Sequence, residues 1–391
     1  MAVVTYRSRS ALVASAVCGL CLLASSPALG QTQIELSRKA DLRFGYFGSR
    51  TERRDGSVGD RNDQFIARLR LGGEAKVGEA LSVGARLAAR LGTDQDGLAF
   101  ALRDYSPSPG GLSVGEATLD ELYLRYAAGG RWSVQVGRMQ TRADRMGLLG
   151  KSLDRKDSGN TSVTWTDGVR FQYTTAGKWN TDLILQRNAG PGPTNVSRPP
   201  LAFDDDGSRV AVFAAVGTRK RLGPLVQRGV AVTYMPDVLP DAAGGDGRRD
   251  YVALVGRLGV GTEPDAAGRE YVLAGELGWA PITPTAAQMR LPSSSPDDEV
   301  SGLAFHVTAT VYEVRPGHSV GAVYGRTGAG WLISPDYRPN NHLAEARYKW
   351  QVSSAAAFEA RLRWRTDHRR LEGATHRQED VDGYLRVTLT F

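Results

Sequence analysis

The sequence predicts an all-β chain that closes into a transmembrane antiparallel barrel of about sixteen strands. Three observations carry this: apolar residues recur with period two, short and long connectors alternate, and no later segment suits a helical span. A helical span needs about eighteen or more consecutive apolar residues, and none follows the N-terminal region.

The period-two pattern is plainest from Phe65 onward. Phe65, Ala67, Leu69 and Leu71 make one face, and Arg68, Arg70, Gly72 and Glu74 make the other. From Leu81 the pattern repeats, with Val83, Ala85, Leu87, Ala89 and Leu91 opposite Arg86 and Arg90. At helical spacing these residues would scatter around the axis. At 180° per residue they form a stripe. Similar segments are expected at 117–128, 131–139, 165–175, 179–187, 209–218 and 225–234. Others follow at 250–260, 270–280, 301–314, 318–326, 342–352, 355–367 and 381–391, with 42–47 as the first strand. The strand count implied lies between 14 and 18, centred on sixteen.

The connectors form two classes. Residues 77–79, 127–130, 176–178, 220–223 and 353–354 are tight turns. Residues 49–62, 92–116, 140–164, 188–208, 235–249, 281–300, 327–341 and 368–380 are long, polar and rich in Gly, Pro and Asp. Membrane barrels show this alternation, with tight turns on the periplasmic face and long loops outside. Hydrocarbon leaves no backbone group unpaired, so the sheet has to close. Aromatics near strand ends (Trp132, Trp165, Trp179, Trp279, Tyr126 and Tyr173) are expected in interfacial girdles. A soluble all-β protein would also alternate, but it would not explain outward apolar stripes opposite charged faces.

Residues 1–30 read as a signal peptide, leaving 31–391 as a single barrel domain. Arg7 and Arg9 form a basic start, an apolar run follows, and Ala28 and Gly30 have cleavage-site spacing. Cys18 and Cys21 both lie in that segment, so the exported chain has no cysteine chemistry. Loss of Arg7 and Arg9 lowers the net charge of +7 by two, and no basic block points to nucleic acid. No cofactor or metal is expected.

The terminal run from Tyr384 to Phe391 resembles the last strand of outer-membrane porins, with Leu385, Val387 and Leu389 alternating before the terminal aromatic. The Val136-Gly137-Arg138 hairpin strand and the Asp167-Gly168-Val169 strand start resemble motifs of the general trimeric and phosphate-selective porin-like groups. The motif-level likeness covers about 118–173 and the terminus. It implies localisation in a Gram-negative outer membrane, among lipid and lipopolysaccharide. It also implies that Phe391 is the address read by the barrel-assembly machinery and that the chain forms a homotrimer. The pattern itself leaves a monomer open.

On the face opposite the apolar stripe stand Arg68, Arg70, Arg86, Arg90, Arg125, Arg170, Arg257, Arg347, Arg361, Arg363, Arg365 and Arg386, with Lys349. Glu74, Glu121, Asp182, Glu276, Glu345 and Glu359 share that face. An inward placement is favoured, because arginine facing lipid costs roughly 2–4 kcal/mol at the midplane. Arg138 and Arg187 fall on the lipid parity near external strand ends. An arginine-rich lumen suits passive diffusion of small hydrophilic solutes with modest anion preference. A dedicated channel for phosphate or organic anions is the sharper alternative.

Residues 140–164 are the candidate pore-constricting loop, carrying Arg142, Asp144, Arg145, Lys151, Asp154, Arg155, Lys156 and Asp157. Within it the apolar run 146–150 has two readings, a contact with the inner wall or a helical turn. An outer-membrane barrel enzyme or adhesin is a second alternative. Ser152, Asp154 and His306 compose a catalytic set on paper, but no catalytic motif accompanies them. His318, His342, His368 and His376 lack ligand spacing. The aspartates at 204–206 and 297–298 read as solvated loops able to bridge to lipopolysaccharide through divalent ions.

Overall fold

A computed structural model describes residues 34–391 except 60, 94, 96, 101–111, 144, 189–208 and 243–246. The expected signal peptide, Asp144 and the 204–206 aspartates therefore lie outside the described residues.

Sixteen long strands follow in order. They are β1 (Ile34–Glu52), β2 (Asn62–Val77), β3 (Leu81–Gly92), β4 (Glu116–Ala128), β5 (Trp132–Met139), β6 (Thr166–Thr174), β7 (Asn180–Asn188) and β8 (Arg209–Thr218). The second half is β9 (Leu225–Pro240), β10 (Arg248–Gly261), β11 (Glu270–Trp279), β12 (Leu303–Arg315), β13 (His318–Thr327), β14 (Asn341–Gln351), β15 (Ala356–Asp367) and β16 (Glu379–Thr390). Each pairs antiparallel with its sequence neighbours, and β1 pairs with both β2 and β16, which closes the barrel. A two-residue piece, Ala99–Phe100, runs parallel to the start of β4. Each expected strand is present. The first is much longer than 42–47, because its polar ends still pair with β2 and β16. No described residue is helical.

The alternation sorts side chains as the pleat requires. Phe44, Leu71, Leu124, Leu185, Leu258, Leu277, Leu362 and Leu385 all point outward and are 40% exposed or more. In water such an area would be an aggregation surface; around a closed sheet it is a lipid belt. Aromatics flank it at both ends. Tyr126 packs on Trp132 (5.5 Å) at the short-turn end, and Tyr46 packs on Phe65 (5.3 Å) at the long-loop end. Trp132, Trp179, Trp279, Tyr126 and Tyr173 are exposed as girdle residues should be. Trp165 is not. It is 2% exposed and packs with Ala88, Leu112 and Val163, because it begins its strand beneath the folded loops.

The principal core lies inside the barrel. Leu149 and Leu153 from loop 140–164 and Trp331, Ile333 and Tyr337 from loop 327–341 pack on Tyr251, Ala253, Val255, Ala304, Val323 and Leu343 of the wall. Small inward residues on β10 and β12 make room for the loops. Gly278 goes further: a Cβ there would meet the Trp331 ring at 2.5 Å. Burying each large apolar side chain contributes about 1.5–3 kcal/mol, enough to hold a loop inside a water-filled barrel.

Candidate functional site: the lumen and its crossing loop

Loop 140–164 folds inward and spans the lumen. The apolar run 146–150 meets the wall rather than forming a helical turn. There Met146 N–H donates to Gln227 Oε1 (3.1 Å) on β9 and Leu148 N–H donates to Thr310 Oγ1 (3.0 Å) on β12. Leu153 N–H donates to Glu276 Oε2 (2.6 Å), and the Trp331 indole N–H donates to the Leu153 carbonyl (2.9 Å). Arg155 reaches Gln186 (2.5 Å) on β7. At the far end Arg68 donates to the Ser158 (3.0 Å) and Ser162 (3.3 Å) carbonyls, and Arg43 donates to Asn160 (3.0 Å).

Asp336, in loop 327–341, is the hub of this docking. It accepts from Ser152 N–H (3.0 Å), Lys156 (3.2 Å) and Lys151 (3.4 Å), and Lys151 also pairs with Glu345 (2.7 Å). Burial alone would raise the Asp336 carboxyl. The ammonium groups of Lys156 and Lys151 and the Arg145 guanidinium outweigh it and hold the group well below the usual carboxylate range. Burial, opposed by Asp336 and reinforced by Arg145, Lys151 and Arg347, pushes the Lys156 ammonium down to about 7. The Lys156 side chain as a whole is 18% exposed, and the residue lines a lumen cavity.

The parity assignment places the predicted wall residues inward, with differing fates. Arg70 pairs with Asp41 (2.6 Å), Arg86 with Glu121 (2.9 Å), and Arg170 with Asp182 (2.6 Å). Glu74 accepts from Tyr123 (2.9 Å) and Lys39 (3.2 Å), while Arg90 donates to the Leu112 carbonyl and Arg125 approaches Ser133 (3.5 Å). Arg257 lies between Asp154 and Glu276. Asp154 belongs to the loop and Glu276 is buried beneath it, so Glu276 is an anchor and not an open wall residue. Asp157 accepts from the N–H and hydroxyl of Thr141 (both 2.9 Å), within the loop itself.

Arg361, Arg363 and Arg365 converge on Asp382, Arg347 pairs with Glu345 (2.5 Å), and Arg386 pairs with Glu359.

Two residues depart from simple alternation. A register shift between Arg86 and Leu87 turns Asp120 inward beside Glu121, where it grips Arg86 through two hydrogen bonds (2.9 and 2.7 Å). Arg138 is 6% exposed, clamped by Asp167 (2.8 Å) and lying over the Trp165 ring (4.5 Å), so it does not stand free at the strand end. Ser152 and Asp154 share a buried network with Arg257 and Glu276, and His306 lies 4.0 Å from Glu276 without a hydrogen bond to it. Arginine stands between acid and histidine, and all three are nearly closed to solvent. This is an anchor.

The loop leaves two cavities. One, about 600 Å³, runs along β6–β9 and is lined by Arg142, Arg145, Arg170, Arg219, Arg228 and Arg257 against a single acid, Asp182. The other, about 850 Å³, faces β1–β3 and β14–β16, where twelve cationic side chains meet three carboxylates, Asp157, Asp336 and Glu359. Tyr384 stands in this wall, its ring under Arg361 (4.4 Å) and Arg386 (4.8 Å). Its buried hydroxyl has no hydrogen-bond partner among the described residues. Asp382 and Tyr384 share the parity of Arg386 and were readable from it. Asp336 and Trp331 had no periodic signal, only an apolar run inside a polar loop. Among the described residues no group of three His, Cys, Asp or Glu side chains is placed to hold a metal.

No protein-family model and no curated protein matches the sequence. Solved structures do. OprB of Pseudomonas putida, in a high-pH structure, matches with a TM-score of 0.59 at 11% identity over 91% of this chain and 94% of that one. The outer membrane channel DcaP of Acinetobacter baumannii gives 0.52 at 12% over 92% and 97%. OccK2 (OpdF) of Pseudomonas aeruginosa, solved with glucuronate, gives 0.50 at 10% over 91% and 97%. The chain has the closed sixteen-strand barrel of outer-membrane channels, and its apolar belt makes it an integral protein of the outer membrane.

Proposed function

We propose that the protein is a porin for passive diffusion of small hydrophilic solutes, with a modest preference for anions. The supporting observation is the charge imbalance of the larger cavity: twelve cations line it against three carboxylates, and the five acids paired behind them (Asp41, Asp120, Glu121, Glu345 and Asp382) still leave a positive excess. In a narrow water-filled space between low-dielectric walls, that excess raises the local anion concentration. Loop 140–164 acts as the constriction, with Arg142 and Arg145 bordering both cavities. Residues 1–30 direct export. Phe391, 75% exposed at the end of the closing strand, is the assembly address. Assembly as a homotrimer is the expectation carried by the porin resemblance.

A second reading, a selective site for organic anions, has one observation in its favour. The Tyr384 hydroxyl and its flanking arginines offer donors suited to a carboxylate, and a structural neighbour was solved with glucuronate, a carboxylate sugar.

The reversal potential of the refolded barrel in a planar bilayer under a salt gradient tests both readings. Stable open steps with chloride favoured over potassium support the first. Block by glucuronate but not by glucose, lost in Tyr384→Phe, supports the second. Well-folded protein without conductance sinks the open-pore reading.

A further inference from the structure

The outer rim above β13 and β14 carries charge that the lumen does not use. Arg326 faces His342 across the β13–β14 pair, and both share the outward parity of Tyr324 and Val320, which are 45% and 38% exposed. Tyr324 packs on Phe305 (6.3 Å) in the long-loop girdle, so the next residues along the strands stand at headgroup height.

There the Tyr324 hydroxyl lies 2.8 Å from His342 Nδ1, and His342 Nε2 lies 2.8 Å from His368 Nδ1. With tyrosine donating, His342 carries its proton on Nε2 and passes a hydrogen bond to His368. This leaves the Nε2–H of neutral His368 as the donor at the end of the chain. Burial first, then Arg326, His342, Arg377 and Arg369, holds the His368 imidazole below its ordinary value, so several cations converge on one point.

Three rim arginines have acids, while Arg369 and Arg370 reach carbonyls. Arg54 pairs with Asp367 (2.7 Å), Arg338 with Asp380 (2.5 Å) and Arg249 with Glu299 (2.5 Å). Arg326 and Arg377 have no ion-pair partner among the described residues. The carboxylate nearest in register, Glu379, lies beyond Thr366 on β16, two strands from His342.

We propose that Arg326, Arg377 and the His342–His368 pair form a docking site for a phosphate on an outer-leaflet lipid headgroup. Two guanidinium groups and an imidazole N–H suit a tetrahedral dianion with several acceptor oxygens. The outward face, continuous with the apolar stripe of Leu303, Val307 and Val320, favours a lipid-borne phosphate over a dissolved one. The site rests on the reading that the long loops face outward. It does not depend on anion preference in the lumen.

Native mass spectrometry of the full barrel in detergent tests it, with bis-phosphorylated lipid A, the same lipid stripped of phosphate, and inorganic phosphate as probes. The expected result is retention of the phosphorylated lipid alone, weakened at least tenfold in the Arg326→Gln/Arg377→Gln double variant. Unchanged conductance in that variant shows that it still folds. Equal retention by both proteins, or retention without phosphate, overturns the proposal. Inorganic phosphate competing as well as the lipid overturns the lipid assignment and leaves a solute site. An epitope inserted at Gly373 and probed on whole cells reads the orientation separately.

Discussion

The crossing loop meets two walls that treat charge in opposite ways. Against β10–β12 its contacts are balanced and dry. Arg257 lies between Asp154 and Glu276, Leu153 is held at both its N–H and its carbonyl, and the core around Trp331 covers them. Against β1–β2 and β14–β16 the contacts are mixed: loop carbonyls accept from Arg43 and Arg68, Arg68 also pairs with Asp41 (2.9 Å), and Lys151 pairs with Glu345 (2.7 Å) on β14. Three arginines there share one acid, Asp382. One wall spends its charges on holding the loop, and the other leaves positive charge facing a cavity. Anchorage and selectivity are therefore separable by mutation.

The strongest way to break that separation is on the anchored side. Arg257→Met leaves Asp154 and Glu276 buried together without their cation, a loss on the order of 3–5 kcal/mol. Hydrogen exchange across 146–155 should accelerate at least a hundredfold while the strands stay protected. Replacing the whole set (Asp154→Asn, Arg257→Met, Glu276→Gln) should restore most of the protection, since a removed ion pair is tolerated far better than a broken one. Unchanged exchange in the single variant would mean that the loop is held by packing alone.

The open wall should respond in selectivity, with little change in loop protection. Asp382→Asn releases Arg361, Arg363 and Arg365 from their shared carboxylate. The chloride-to-potassium permeability ratio should rise roughly twofold, the size of about 0.5 kcal/mol from one charge in a screened aqueous lumen. Arg361→Gln with Arg363→Gln should move it the other way. A shift in the same direction for both variants would contradict a simple charge reading of this wall.

A smaller, pH-dependent effect belongs to Lys156, which touches both regions. Its ammonium, pushed down to about 7, is mostly charged at pH 6 and mostly neutral at pH 8. Anion preference should therefore fall as pH rises through that window, and Lys156→Gln should flatten the dependence. Burial also pushes the neighbouring Lys151 ammonium down, so the comparison with Lys156→Gln is what assigns the change to one group. A pH profile identical in wild type and variant would remove Lys156 from the permeation path.

Most of the barrel was legible because the pleat forces it. Once Phe65 and Leu71 point to lipid, Arg68 and Arg70 have to point inward, and the same reasoning placed Arg170, Arg363 and Arg386. The failures occur where the period breaks or stops. The register shift beside Leu87 brought in Asp120 from the wrong parity, and Trp165 left the girdle because its strand starts under a loop. Asp336 could not be found at all. Its role depends on where two loops, distant in sequence, meet inside the lumen, and no local pattern records such a meeting. The apolar run 146–150 was the one legible trace of that contact.

Trp331→Phe offers the finest test of the difference between the walls. The change removes the indole N–H that donates to the Leu153 carbonyl and the far part of the ring that meets Gly278. One net hydrogen bond is worth about 1 kcal/mol, and the lost packing adds to it, so exchange at the loop positions near Leu153 should quicken at least roughly fivefold. Ion selectivity should not move, because the residue contributes no charge and lies wholly on the anchored side. A measurable change in reversal potential would show that the position of the loop, and not only its charge, sets the filter. The two walls would then have to be treated as one device.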